Sequence, residues 1–95
     1  MSGSETVDGR EIGRQFLRSA TSVGANVEEA HGAESQRDFV HKMGIAYKEV
    51  RETRYWLRLV KETIVNDDEV NALLQESDEL VRILSTIVSK ARQKV

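Results

Sequence analysis

The chain has 95 residues, a length that fits a single domain. It contains no cysteine, which excludes disulfides and thiolate metal sites, and no proline, whose absence permits long uninterrupted helices. The net charge of −2 argues against a large surface for nucleic-acid phosphates, because such surfaces usually make a domain basic.

The first predicted helix spans about residues 9–31 and follows a polar segment, residues 1–8, that we expect to fray. Asp8 followed three residues later by Glu11 is a capping-box pattern, which marks the start of a helix. Gly32 is a suitable residue to end it. Apolar and small residues recur between them at steps of three and four, which places them on one face: Ile12, Phe16, Ala20, Val23, Val27 and Ala30.

The second predicted helix spans about residues 35–64, with Ser35 as its cap. A second stripe of side chains, which includes Glu49, Glu52 and Trp56, lies beside its main apolar stripe. Two stripes indicate that this helix contacts more than one neighbour. The main stripe is an unbroken heptad pattern formed by Phe39, Met43, Ala46, Val50, Thr53, Leu57, Val60 and Ile64.

The third predicted helix spans about residues 67–93 and is capped by Asn66. Acidic residues in its first turn suit the positive end of the helix dipole. Its apolar stripe is widened by Leu74, Val81, Ile83 and Val88. The stripe itself is formed by Val70, Leu73, Ser77, Leu80, Leu84, Ile87 and Ala91.

These three long helices predict an all-α protein, an antiparallel up-down helical bundle in which residues 1–95 form one domain. Short connections favour antiparallel neighbours, and no segment alternates with the period of a strand. The start of the chain lacks the features of a signal peptide, and no apolar stretch approaches the ~20 residues of a membrane span. We therefore expect a cytoplasmic protein without a membrane partner.

The sequence offers no recognisable catalytic machinery. It has no Gly-x-Ser-x-Gly motif, and neither His31 nor His41 has a partner at a spacing typical of a triad. Glu28 and His31 form one Glu-x-x-His motif, whereas di-iron bundles need two. No glycine-rich phosphate loop is present. We predict that the chain is not an enzyme and carries no cofactor or metal.

A row of basic residues on the second helix is the best candidate for a nucleic-acid contact. Such rows are usually solvated faces, and acidic residues are interleaved with this one, so RNA binding is the alternative rather than the leading hypothesis. The row consists of Arg51, Arg54, Arg58 and Lys61.

A polar stripe on the first helix is the least usual feature of the sequence. It includes Ser22, Asn26 and Glu29, beside a mid-helix glycine, Gly24, that lowers helix stability. One interpretation is close helix approach at Gly24 and Ala25, with Ser22 and Asn26 hydrogen-bonding across helices. The other is a binding site for a ligand or partner.

Two acidic residues of the second helix, Glu49 and Glu52, extend this predicted polar seam because they share a helix face. Basic residues are their expected partners. These could be Lys48 or Arg51 of a neighbouring chain, or Arg14 or Arg18 of the first helix.

The segment at residues 15–30, QFLRSATSVGANVEEA, resembles a signature of the four-helix bundle proteins encoded in 23S rRNA intervening sequences. The block from Ser35 to Leu57 resembles the second signature of this family, in the run 38–43 and at positions 45–46, 48–49, 52–53 and 55–57. The likeness covers roughly residues 10–64 and is looser in the third helix.

The resemblance implies a left-handed up-down four-helix bundle of bacterial origin, often a ring-shaped homopentamer, with no established enzyme activity. A related branch binds nucleic acid and a reverse transcriptase, but its members are strongly basic, unlike this chain. Family members usually carry a further helix before the first signature, and only residues 1–9 precede it here. We expect another copy of the chain to cover the side that this helix would occupy.

Overall fold

The computed structural model describes residues 8–95, which form three helices and no strand. Helix α1 spans Gly9–His31, α2 spans Gln36–Thr63 and α3 spans Asp68–Arg92. The predicted all-α fold is confirmed, and each helix boundary lies within one residue of the prediction. The expected fraying concerns residues that lie outside the described part, except for Asp8.

Side chains cap the first two helices at the predicted positions. The Asp8 carboxylate accepts a hydrogen bond from the backbone N–H of Arg10 at 2.9 Å, and the Ser35 hydroxyl accepts one from that of Asp38 at 3.0 Å. Each bond satisfies a backbone donor that has no partner inside its helix, and so fixes where the helix begins.

The cap of α3 is Asp67, and the prediction of Asn66 was wrong by one residue. The backbone of Asp67 is extended, so its carboxylate reaches back to the N–H of Val70 at 2.9 Å. The side chain of Asn66 instead accepts a hydrogen bond from the amide of Asn71 at 3.0 Å. Both residue types are good caps, so the loop geometry decides between them.

Helix α2 lies between the other two helices. It packs against α1 and α3, whereas the backbones of α1 and α3 do not approach each other. The described residues form an elongated body of 50 × 22 × 17 Å. Its radius of gyration of 15.4 Å exceeds the about 12 Å expected for a compact domain of this size because the helices are long. The bundle is open on one side because the backbones of α1 and α3 stay apart.

The centre of the core follows the predicted apolar stripe of α2. Helix α1 contributes one buried residue to it and α3 contributes two. The core is small because α2 is the only helix with neighbours on two sides. The cluster of buried side chains at its centre consists of Ala30, Met43, Ala46, Val50, Leu84 and Val88.

Two leucines that the periodicity placed in the core stripe of α3 are exposed instead. Leu73 is 42% and Leu80 is 44% exposed, while Ser77, between them, is buried. The apolar face of α3 is wider than the face that α2 covers. Periodicity identifies that face but does not show how many neighbours it has.

The predicted close approach at Gly24 is also wrong within this chain. A Cβ atom added at Gly24 would meet nothing within 4 Å, and Ala25 is exposed. No contact among residues 8–95 therefore requires a glycine in the middle of α1.

We expect the Gly24→Ala variant to be more stable than the parent chain by about 1 kcal/mol, because alanine restricts the unfolded backbone and is a better helix former. Urea denaturation followed by circular dichroism measures the change. Gly13→Ala is the matched control, since Gly13 is also helical with nothing within 4 Å of an added Cβ. A destabilised Gly24→Ala beside a stabilised Gly13→Ala would contradict an open position at Gly24.

Candidate functional site

An open groove runs between α1 and α3, with α2 as its floor. It encloses about 170 Å³ and exists because the two outer helices stand apart. Ten residues line it: Phe16, Ala20 and Val23 of α1, Val50, Thr53 and Leu57 of α2, and Leu73, Glu76, Ser77 and Leu80 of α3.

The hydroxyl groups in this groove are already hydrogen-bonded. Thr53 Oγ1 lies 2.9 Å from the carbonyl of Glu49 and 2.9 Å from the hydroxyl of the fully buried Ser19. Ser77 Oγ donates to the carbonyl of Leu74 at 2.8 Å. Glu76 is the one charged residue of the lining. The groove therefore suits an apolar surface rather than a polar small molecule.

Exposed apolar side chains continue this surface along α3. Leu73, Leu80 and Ile83 are 42%, 44% and 53% exposed. Ile83 lies ten positions beyond Leu73, about 15 Å further along the helix axis. On the opposite wall, Val27 of α1 is 39% exposed and lies one turn beyond Val23. Contiguous apolar surface of this kind marks an interaction site on a protein.

The predicted polar seam is not one cluster. Asn26 Nδ2 donates to the carbonyl of Ser22 at 2.9 Å and lies 3.3 Å from its hydroxyl, so both residues bond within α1 and not across helices. The cause is their spacing of four, which puts the amide next to its own backbone. Glu29 does not join these two residues and instead forms an ion pair with Lys42 of α2 at 2.6 Å.

Glu49 and Glu52 do lie together, and both contact one arginine of α1. Arg18 Nη1 lies 3.4 Å from Glu49 Oε1, and Arg18 Nη2 pairs with Glu52 Oε2. The indole N–H of Trp56 donates to the same Glu52 oxygen at 2.9 Å. Glu49 is buried, so this ion pair ties α1 to α2 in partly desolvated surroundings.

These hydrogen bonds determine the ionisation of the pair. The pKa of Glu52 is lowered, first by the hydrogen bond from Trp56 and then by that from Arg18. The pKa of Arg18 is raised, chiefly by its hydrogen bond to Glu52. A carboxylate held ionised in this way is a poor proton donor near neutral pH, so this cluster does not resemble a general acid.

The predicted basic row of α2 is divided among different partners. Arg54 Nη1 pairs with Asp78 of α3 at 3.3 Å, and the Arg51 guanidinium lies 5.5 Å from the centre of the Tyr47 ring. Arg58 and Lys61 line a shallow pocket of about 450 Å³ that also contains two carboxylates, Glu62 and Asp78. The row is therefore not a purely cationic face.

A cationic pocket that the sequence reasoning missed lies at the other end of α2. Arg37, His41 and Lys48 share one face of α2, and Arg92 of α3 completes the pocket. The spacing of positions 37, 41 and 48 by four and seven residues indicates that the first three share one helix face. Nothing in the sequence brings Arg92 to them, because the packing of α3 on α2 does so.

Two negative findings apply to residues 8–95. This part of the chain has no group of three or more His, Cys, Asp or Glu side chains that could hold a metal ion. Within the same range, no helix is both long and apolar enough to cross a membrane.

The chain matches the model of the 23S rRNA-intervening sequence protein family over residues 5–86. It is similar to the crystal structure of a protein with unknown function from the S23 ribosomal protein family of Bacteroides thetaiotaomicron. The two are 40% identical with a TM-score of 0.76, over 81% of this chain and 72% of the other. No protein with a curated description matches the chain significantly.

The ion pair of Glu52 should make the stability of the fold sensitive to acid. Its folded-state pKa lies below the usual value of about 4.3, so the pair stabilises the fold above that pH and is lost as pH falls through the folded pKa. We expect Glu52→Gln to cost about 1 kcal/mol at pH 7 and much less at pH 3. Denaturant unfolding at both pH values measures this.

Glu79→Gln is the control, because Glu79 is exposed and has no ion pair among residues 8–95. Its effect should be small and similar at both pH values. An equal cost of Glu52→Gln at pH 7 and pH 3 would contradict the role given to the ion pair.

Proposed function

The chain belongs to the 23S rRNA-intervening sequence protein family, and we propose that it acts as a non-catalytic, self-associating helical module. In this proposal a second copy of the chain covers the groove between α1 and α3. The observation that carries it is the apolar groove, because burial of such a surface stabilises association in proportion to its area.

The chain itself supplies an apolar ridge that suits the groove. Leu73 and Leu80 line the groove and Ile83 is exposed further along α3, so a neighbouring copy of the chain could place its own ridge of these side chains against the groove. The body is 50 Å long, and a stable interface along it would bury roughly 800 Å² per partner.

The polar groups of the chain support a structural role in this proposal. Glu49 and Glu52 are held by Arg18, and Arg54 is held by Asp78. In this proposal these ion pairs between helices orient the helices. The proposal therefore assigns no reaction to the module.

RNA binding by the row Arg51, Arg54, Arg58 and Lys61 has weaker support. The pairing of Arg54 with Asp78 and the presence of Glu62 beside Arg58 reduce the positive potential of that face. Self-association through the groove does not depend on a positive potential at this row, so we place it first.

Sedimentation velocity at micromolar concentration tests the proposal. We expect the parent chain to sediment as an oligomer of the 10.7 kDa protomer. Leu80→Lys should raise the dissociation constant at least about a hundredfold, because a buried unpaired ammonium costs several kcal/mol. Leu80 is 44% exposed in the single chain, so the fold should accept the change.

Tyr55→Lys is the matched control. Tyr55 is 56% exposed but lies on the side of α2 away from the groove, so the variant should keep the assembly of the parent chain. A monomeric parent chain would overturn the proposal. So would an assembly that Leu80→Lys leaves intact.

A further inference from the structure

A second open pocket lies between the first half of α2 and the end of α3. It is a shallow depression of about 440 Å³, and a ligand bound there would stay partly exposed to solvent. Among residues 8–95, no aspartate or glutamate lines it. Its lining consists of Arg37, Val40, His41, Gly44, Ile45 and Lys48 of α2 together with Arg92 of α3.

Two features bring Arg92 to this pocket. Gln36 Nε2 donates to the carbonyl of Ala91 at 3.2 Å, which fixes the end of α3 against the start of α2. Gly44 leaves the surface of α2 bare where α3 ends. A Cβ at Gly44 would lie 3.9 Å from Arg92 Nη2, so the guanidinium rests beside the helix at this glycine.

The cations of the pocket form no direct ion pair within the described part of the chain, although Lys48 lies near enough to Glu52 to help lower the pKa of that carboxyl. Arg18, Lys42 and Arg54 each form an ion pair there, whereas none of Arg37, Lys48 and Arg92 does so between residues 8 and 95. Three permanent positive charges and one histidine around a concave surface concentrate positive potential in it, in a chain whose net charge is −2.

We propose that this pocket binds a di- or triphosphate group of a small ligand. The guanidinium groups of Arg37 and Arg92 can each donate two parallel hydrogen bonds to phosphate oxygens, and Lys48 adds a compact charge. Val40 and Ile45 provide an apolar wall for the rest of the ligand. A group with several negative charges matches this set better than a singly charged anion.

The pocket shares no lining residue with the groove between α1 and α3. The phosphate site is therefore independent of self-association through that groove, and either proposal can fail without the other.

Titration of the 15N-labelled chain with sodium pyrophosphate at constant ionic strength tests the proposal. We expect saturable amide shifts confined to residues 37–48 and the end of α3, with tighter binding of pyrophosphate than of sulfate. Arg92→Gln and Lys48→Gln should each weaken binding about tenfold, the loss expected for one charged hydrogen-bonding group. Both side chains are exposed, and circular dichroism verifies that the variants fold.

Arg58→Gln is the matched control, because it removes a charge of α2 outside this pocket. It should leave pyrophosphate binding unchanged. An equal loss in Arg58→Gln, or the absence of saturable shifts at millimolar pyrophosphate, would overturn the proposal. Binding of a single-stranded RNA that depends on Arg92, without binding of pyrophosphate, would also overturn it, because the surface would then be a nucleic-acid face.

Discussion

The packing of two helices against a third, without close approach between the backbones of the outer two, is the constraint on which the rest of the structure depends. Helix α2 has two neighbours, so the middle of its heptad stripe, from Met43 to Leu57, is buried and contributes most of the core, whereas Ile64 at its end is 54% exposed. Helices α1 and α3 each have one neighbour, so apolar side chains such as Leu73 and Leu80 remain exposed. The groove and the small core both follow from this arrangement. The proposed assembly would bury the apolar side chains of the groove that a single chain leaves exposed.

Polar contacts fix how the helices meet. Arg18 of α1 reaches Glu49 and Glu52 of α2, and on the other side Arg54 of α2 reaches Asp78 of α3. Near the centre, the hydroxyls of Ser19 and Thr53 lie 2.9 Å apart in a buried contact that small side chains permit. Such bonds add modestly to stability. They require particular partners, however, so they select one register of the helices where apolar packing alone would accept several.

The helices and two of their caps could be predicted because their signals are local: Asp8 and Ser35 act on donors within three residues. The sites could not be predicted as well. Periodicity put Leu73 and Leu80 on an apolar face but could not show that no helix covers it, and Asn26 found its partner on its own helix. The cationic pocket joins Gly44 to Arg92 across 48 positions of sequence. Only the packing of α3 on α2 creates it.

The separation of α1 from α3 has a consequence for how free energy is shared within the chain. Because the backbones of the outer helices do not approach each other, most of their coupling passes through α2, much as in a linear array of units with nearest-neighbour interfaces. Substitutions on α1 and α3 that stay clear of α2 should then change stability additively. Either outer helix could also open by itself while the remaining pair stays docked, which makes partial unfolding an intrinsic property of the single chain. A partner bound in the groove would contact both α1 and α3 and so couple the two outer helices directly. The cooperativity of unfolding would then depend on the assembly.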